Sequence, residues 1–165
     1  MIYNYEKVLE FLKVLIQQAE EKQKYYNETN YGIVRISSID FEVMMGILFG
    51  EKKGKNRQDL ENHEVKSLEE NGQAVWDFHI KNGLNKLIKL MTVSHIFVIY
   101  SNEYNMSFFL ISGEELTPKF EEWRSKVTAN LGINRSHGYI SSDWIKEYGT
   151  LIMKIENEEI VYSYK

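Results

Sequence analysis

The chain has 165 residues, no cysteine and a single proline, with 20 Lys and Arg against 24 Asp and Glu and a formal net charge of −4. That length suits one domain, and 43% hydrophobic with 27% charged residues is the balance of an ordinary globular protein. Without cysteine there are neither disulfides nor thiolate zinc sites. No window approaches the ~20 apolar residues of a membrane span and no signal peptide is recognisable, so the expectation is a cytoplasmic protein.

Residues 3–26 read as one long amphipathic helix, with Tyr5, Val8, Leu12, Leu15, Ile16 and Ala19 at helical spacing. Residues 1–31, this helix and its turn, are a candidate dimerisation element within a single domain spanning 1–165. A second helix is expected to start near Ser37–Asp40, to turn Phe41, Val43, Met44, Ile47 and Leu48 inward, and to end near Gly50. Residues 60–68 are short and mixed. From Val75 to Lys81, Trp76, Phe78 and Ile80 alternate with Asp77, His79 and Lys81, the pattern of a strand with one polar face.

Residues 84–92 look helical, with Lys86 and Lys89 on the polar side. His95–Tyr100 reads as a central strand, and Met106–Ile111 as its partner. Ser112 to Asn130 is helical around Pro118, Gly132 to Gly138 is a polar loop, and a short helix with a final strand or hairpin closes the chain. The acidic stretch Glu156–Glu159 is expected to be a solvated turn. The pattern is α/β.

The acidic charge argues mildly against a nucleic-acid binder, but charge acts locally. Residues 52–57, which include Lys55 and Arg57, form a basic cluster just before Asp59. A solvated loop is the plain alternative. The next residues hold the sharpest chemical signal, Asp59-Leu-Glu-Asn-His-Glu64-Val-Lys66. Alternation along a strand puts Glu64 and Lys66 on one face, and an acid upstream across a turn reaches the same spot. Two carboxylates and the Val65 carbonyl are hard oxygen donors suited to Mg2+, which lowers the pKa of bound water enough for attack on a phosphodiester. Lys66 would orient that water or stabilise charge on the phosphate. Asp-x(n)-Glu-x-Lys is a short pattern, and a solvated strand end with an ion pair is its bland reading.

The arrangement resembles the PD-(D/E)xK nuclease superfamily, in particular the PvuII-like type II restriction endonucleases. The resemblance rests on Glu64-Val65-Lys66-Ser67, on register from Glu64 to about Leu131, and on His79 and Ile96-Phe97-x-Ile99-Tyr100. Leu116 with Trp123 and Glu147-x-Gly149-Thr150 add to it. It covers about half the chain well. It implies a restriction-endonuclease-like fold, with a central mixed sheet flanked by helices. It further implies a homodimer cutting both strands of a short, palindromic site in double-stranded DNA, with Asp59, Glu64 and Lys66 as the catalytic set and Mg2+ held by Asp59, Glu64 and Val65. Ile80 and Lys81 depart from the family's histidines, and Leu90 replaces a tyrosine, so the recognised sequence does not carry over.

Base reading has two candidate sources. His79 and Lys81, with Asp77, face one side of the polar strand, where donors reach guanine N7 or O6. Asn134 and Arg135 sit in the loop Ile133–His137, and their side chains suit adenine and guanine. Glu42, on the second helix, is a possible accessory acid. His63 should lie on the strand face opposite Glu64, and His95 should be a satisfied, half-buried histidine. The alternatives are a structure-selective nuclease of the resolvase or repair type, which needs no base-reading loop, and a non-catalytic DNA-binding protein in which the motif is accidental.

Overall fold

The computed structural model describes residues 3–30, 32, 33, 35–54, 59–102 and 104–164. Two helices lead. α1 (Tyr5–Thr29) is capped at its start by the Asn4 side chain, and α2 (Ser38–Phe49) opens with a capping box between Ser37 and Asp40 and ends at Gly50 with φ 69°. There follow β1 (His63–Glu69), β2 (Gln73–Phe78), α3 (Gly83–Leu90), β3 (Ser94–Asn102), β4 (Asn105–Ile111) and α4 (Gly113–Ala129). The chain closes with β5 (Ser136–Ser141), α5 (Ser142–Tyr148), β6 (Thr150–Glu156) and β7 (Glu159–Ser163).

Five strands form a sheet in the order β1-β3-β4-β6-β7. β1 runs parallel to β3, with Glu64 opposite His95 and Lys66 opposite Phe97; the other neighbours are antiparallel, so the sheet is mixed. β2 and β5 pair separately as a two-stranded ribbon, with Asp77 opposite His137. Alternation on β3 feeds two cores. Ile96 and Val98 meet α1 and α2 on one face, while Phe97 and Ile99 meet Trp76, Phe78, Phe120 and Trp123 on the other. No helix among the described residues is long and apolar enough to cross a membrane.

The α/β reading, the mixed sheet flanked by helices and the long N-terminal helix hold. Several details differ from expectation. The polar strand ends at Phe78 rather than Lys81, because Asn82-Gly83 starts α3 and the chain must turn: the Gly83 N–H bonds the His79 carbonyl at 2.8 Å. His79 and Lys81 therefore stand on a turn, not on a strand face. The 132–138 segment is not all loop, since β5 begins at Ser136. Gly138 is needed there, for a Cβ would lie 2.3 Å from the Trp123 ring. Val43 is not turned inward: at 44% exposure it lies off the Phe41, Met44, Met45, Leu48 stripe that α2 buries. Residues 156–159 form the tight turn of the β6–β7 hairpin, with φ positive at Asn157 and Glu158.

Candidate active site

β1 is an edge strand, so side chains from both layers can meet beside it. The loop that delivers Asp59 is stapled by Glu51, which accepts from the Asn62 backbone N–H (3.1 Å), the Asn62 side chain (3.1 Å) and His63 Nδ1 (2.9 Å). Burial works against the Glu51 charge, but these hydrogen bonds outweigh it and hold the carboxyl below its ordinary pKa. Further ties run from Gly54 N–H to the Asp59 carbonyl (3.3 Å) and from Leu60 N–H to the His63 carbonyl (3.0 Å). Held in this way, Asp59 Oδ2 accepts from the Val65 N–H at 2.8 Å.

That bond fixes the aim of the strand edge. The N–H and C=O of one strand residue project to the same side. With the Val65 N–H turned to Asp59, its carbonyl faces the same open edge. Glu64 and Lys66 share the strand's other face, joined at 3.1 Å between Nζ and Oε1, with Glu64 buried and Lys66 partly so.

The acids here are crowded. Desolvation, then the Glu64 charge, pushes the Asp59 pKa up, against Lys66, the Val65 N–H and Lys86. Glu42 is also raised, first by burial and then by Asp59, with Glu64 adding and Lys53 and Lys66 opposing. It lines an open groove with Ile39, Val43, Lys53, Asp59 and Leu60. Thus the accessory acid expected on the second helix does lie within the field of Asp59 and Glu64. Among the described residues no three acidic or histidine side chains converge as a closed metal cage. Magnesium does not require one, since it uses one or two carboxylates and keeps several waters. Asp59, Glu64 and the Val65 carbonyl fit that need, each carboxylate having, among the described residues, one oxygen spent on its protein contact and one left over.

No protein-family model and no curated protein matches the chain. The chemistry of the site therefore stands on its own geometry.

Around this centre, His63 is turned away, paired with Glu51 and packed on the Phe49 ring, as expected of the opposite strand face. His95 is fully rather than half buried. Its Nε2 lies 2.9 Å from the Leu90 carbonyl, an acceptor, so this nitrogen carries the proton and Nδ1 is bare. Desolvation pulls its pKa down to about 4. Among the described residues two buried polar atoms lack a partner, His95 Nδ1 and Trp76 Nε1. One is an acceptor and the other a donor, on rings whose centroids lie 5.9 Å apart.

Of the two expected base-reading sources, Asp77 and the Arg135–His137 end of the loop meet beside the ribbon, whereas His79, Lys81 and Asn134 do not join them. Asp77 Oδ2 meets Arg135 at 3.3 Å, and Oδ1 lies 3.8 Å from His137 Nε2. Asp77, His137, Tyr139 and Val75 all lie on the exposed face of the ribbon. His79 folds onto its own turn, with Nδ1 accepting from the Lys81 N–H at 3.3 Å. Asn134 is exposed at the end of the loop. Lys55 and Arg57 lie outside the described residues. Sequence reasoning missed Glu51 and Lys86, since neither sits in a motif and both act through tertiary proximity.

Proposed function

We propose that this chain is a magnesium-dependent type II restriction endonuclease of the PD-(D/E)xK kind, cutting double-stranded DNA as a homodimer. The observation that carries the reading is the Asp59 carboxylate on the Val65 N–H, which brings two mutually repelling acids and an outward carbonyl to one open strand edge beside Lys66. Asp59, Glu64 and Val65 are the proposed cation ligands, with Glu42 as accessory acid. A bound magnesium supplies acidified water and positive charge at the phosphate.

The chain's own residues do the rest. Lys66, held at 3.1 Å by Glu64, donates to the charge that builds on the phosphoryl oxygens. Water adds its oxygen to phosphorus, the ester P–O bond breaks, and the proton that the water gives up is matched by one taken up by the leaving oxygen, which departs as a hydroxyl. A two-stranded ribbon fits the major groove, and the exposed Asp77–Arg135–His137 cluster supports base reading there, with His79, Lys81 and Asn134 at its end. This cluster favours sequence recognition over shape recognition. The mixed sheet with acids at its edge supports a restriction-endonuclease-like fold, and the exposed side of α1, including Val14, is the proposed contact between copies.

The test is digestion of phage DNA with and without magnesium. Discrete, reproducible fragments only with magnesium support the reading, and sequencing their ends gives the site and the stagger. Cutting of branched substrates alone would replace it with a structure-selective nuclease. Binding without cutting would leave a non-catalytic DNA-binding protein.

A further inference from the structure

Lys86 sits on the polar side of α3, and its Nζ donates to the Asp77 carbonyl at 3.1 Å. The start of α3 is pressed onto the end of β2, where a Cβ on Gly83 would come 3.0 Å from Phe78. The position of Lys86 relative to the ribbon is therefore set by backbone packing. The acids of the β1 edge are within its electrostatic reach: Lys86 acts on Asp59, and Asp59 and Glu64 act on it. Desolvation, followed by the neighbouring Lys66, lowers its pKa, while Glu64, Asp77 and Asp59 raise it.

An ammonium has three donors. Here one goes to a neutral carbonyl, and among the described residues Lys86 has no ion-pair partner. Lys66, by contrast, is committed to Glu64. The same Asp77 that takes Lys86 on its carbonyl takes Arg135 on its carboxylate. The cations Lys66, Lys86 and Arg135 thus mark a path from the acidic edge to the ribbon. A polyanionic strand lying on the ribbon and passing the edge would follow that path.

Resting on the endonuclease reading above, we propose that Lys86 is a phosphate-contacting residue of the cleavage site, binding a backbone oxygen next to Asp59 and Glu64 and tying that contact to the ribbon through Asp77. The plain alternative is a lysine that only anchors α3 to β2. A structural anchor would change stability and leave the ionic strength dependence of DNA binding alone.

Binding of a duplex carrying the cleaved site is measured over a range of salt in the cleavage-dead Asp59→Ala protein, with and without Lys86→Gln. Glutamine can still donate to the Asp77 carbonyl but carries no charge. The expected result is a log–log salt slope smaller by about one, and, in the active protein, cleavage slower by roughly 10- to 100-fold. Lys86→Arg, which keeps the charge, should restore the slope and most of the rate. An unchanged slope in a folded Lys86→Gln protein overturns the proposal, and Lys86→Met decides it should the glutamine variant melt early. Failure of the parent reading looks different: the wild type would not cut DNA in magnesium at all.

Discussion

The β1 edge and the β2–β5 ribbon handle charge in opposite ways. At the edge, Asp59, Glu64 and Glu42 are gathered with Lys66 the one cation in direct contact among the described residues, and burial and mutual repulsion raise the pKa of Asp59 and Glu42. On the ribbon, one acid, Asp77, faces Arg135 and His137 in the open, and charge is balanced. Among the described residues the edge is short of positive charge and half-buried, so a divalent cation would relieve it. The ribbon is exposed and weakly paired, so its cations can be given up to a partner at little cost, since exposed ion pairs contribute about 0–1 kcal/mol.

The largest effect that would break this contrast lies at the edge. Asp59→Ala or Glu64→Ala should lower cleavage by on the order of 10³-fold or more, with duplex binding largely kept. Retained cutting in single-turnover digests would remove the proposed site.

Next comes acid stability beneath the edge. His95 is held near pKa 4 when folded, against about 6.5 when unfolded, so the unfolded chain binds the extra proton first. Its contribution is complete above about pH 6.5 and is lost as the pH falls toward 4, on the order of 3 kcal/mol in all. Lys66 and His63 disfavour the proton on His95 and Asp59 favours it. Urea unfolding across that range should show the loss, and His95→Phe should flatten the profile there whatever its absolute stability.

On the ribbon, Arg135→Ala should relax discrimination at one base pair by about 1–3 kcal/mol. Competition between cognate and single-mismatch duplexes measures this, and an unchanged ratio would move base reading off the ribbon. The smallest effect belongs to the Asp59 loop. Glu51→Gln leaves the Asn62 and His63 donors poorly paired, and thermal melts should show a loss of about 1–2 kcal/mol. Cleavage should slow with no change in salt slope, because Glu51 positions Asp59 rather than touching DNA.

Much of this architecture was legible in local signals. Ser37 and Gly50 marked the ends of α2 because caps are chemistry within a few residues. The apolar run of β3 and the alternation of β2 up to Phe78 were likewise visible. The missed features depend on partners far along the chain. Alternation continues formally to Lys81, but Asn82-Gly83 bends the backbone first. Gly132 to Gly138 reads as a polar loop, and from Ser136 it is strand because Gly138 lets β5 lie against Trp123 and pair with β2. Val43 was grouped with the core by hydropathy, whereas the helical period leaves it on the groove wall.

At the site, Asp59, Glu64 and Lys66 were readable because strand alternation and a turn bring them together locally. Glu51 resembled any loop acid, and Lys86 any lysine on the outer side of a helix. Their placement depends on tertiary packing: Lys86 on α3 docking against β2, and Glu51 on its bonds to Asn62 and His63.

The most direct test of the central claim is cleavage of supercoiled plasmid over a magnesium titration, with wild type beside Asp59→Asn. Asparagine keeps an oxygen for the Val65 N–H but removes the charge. Magnesium-dependent linearisation by the wild type, with none by a folded Asp59→Asn protein, is the predicted result. Equal cutting by both proteins, or cutting that ignores magnesium, would contradict a metal site at the β1 edge.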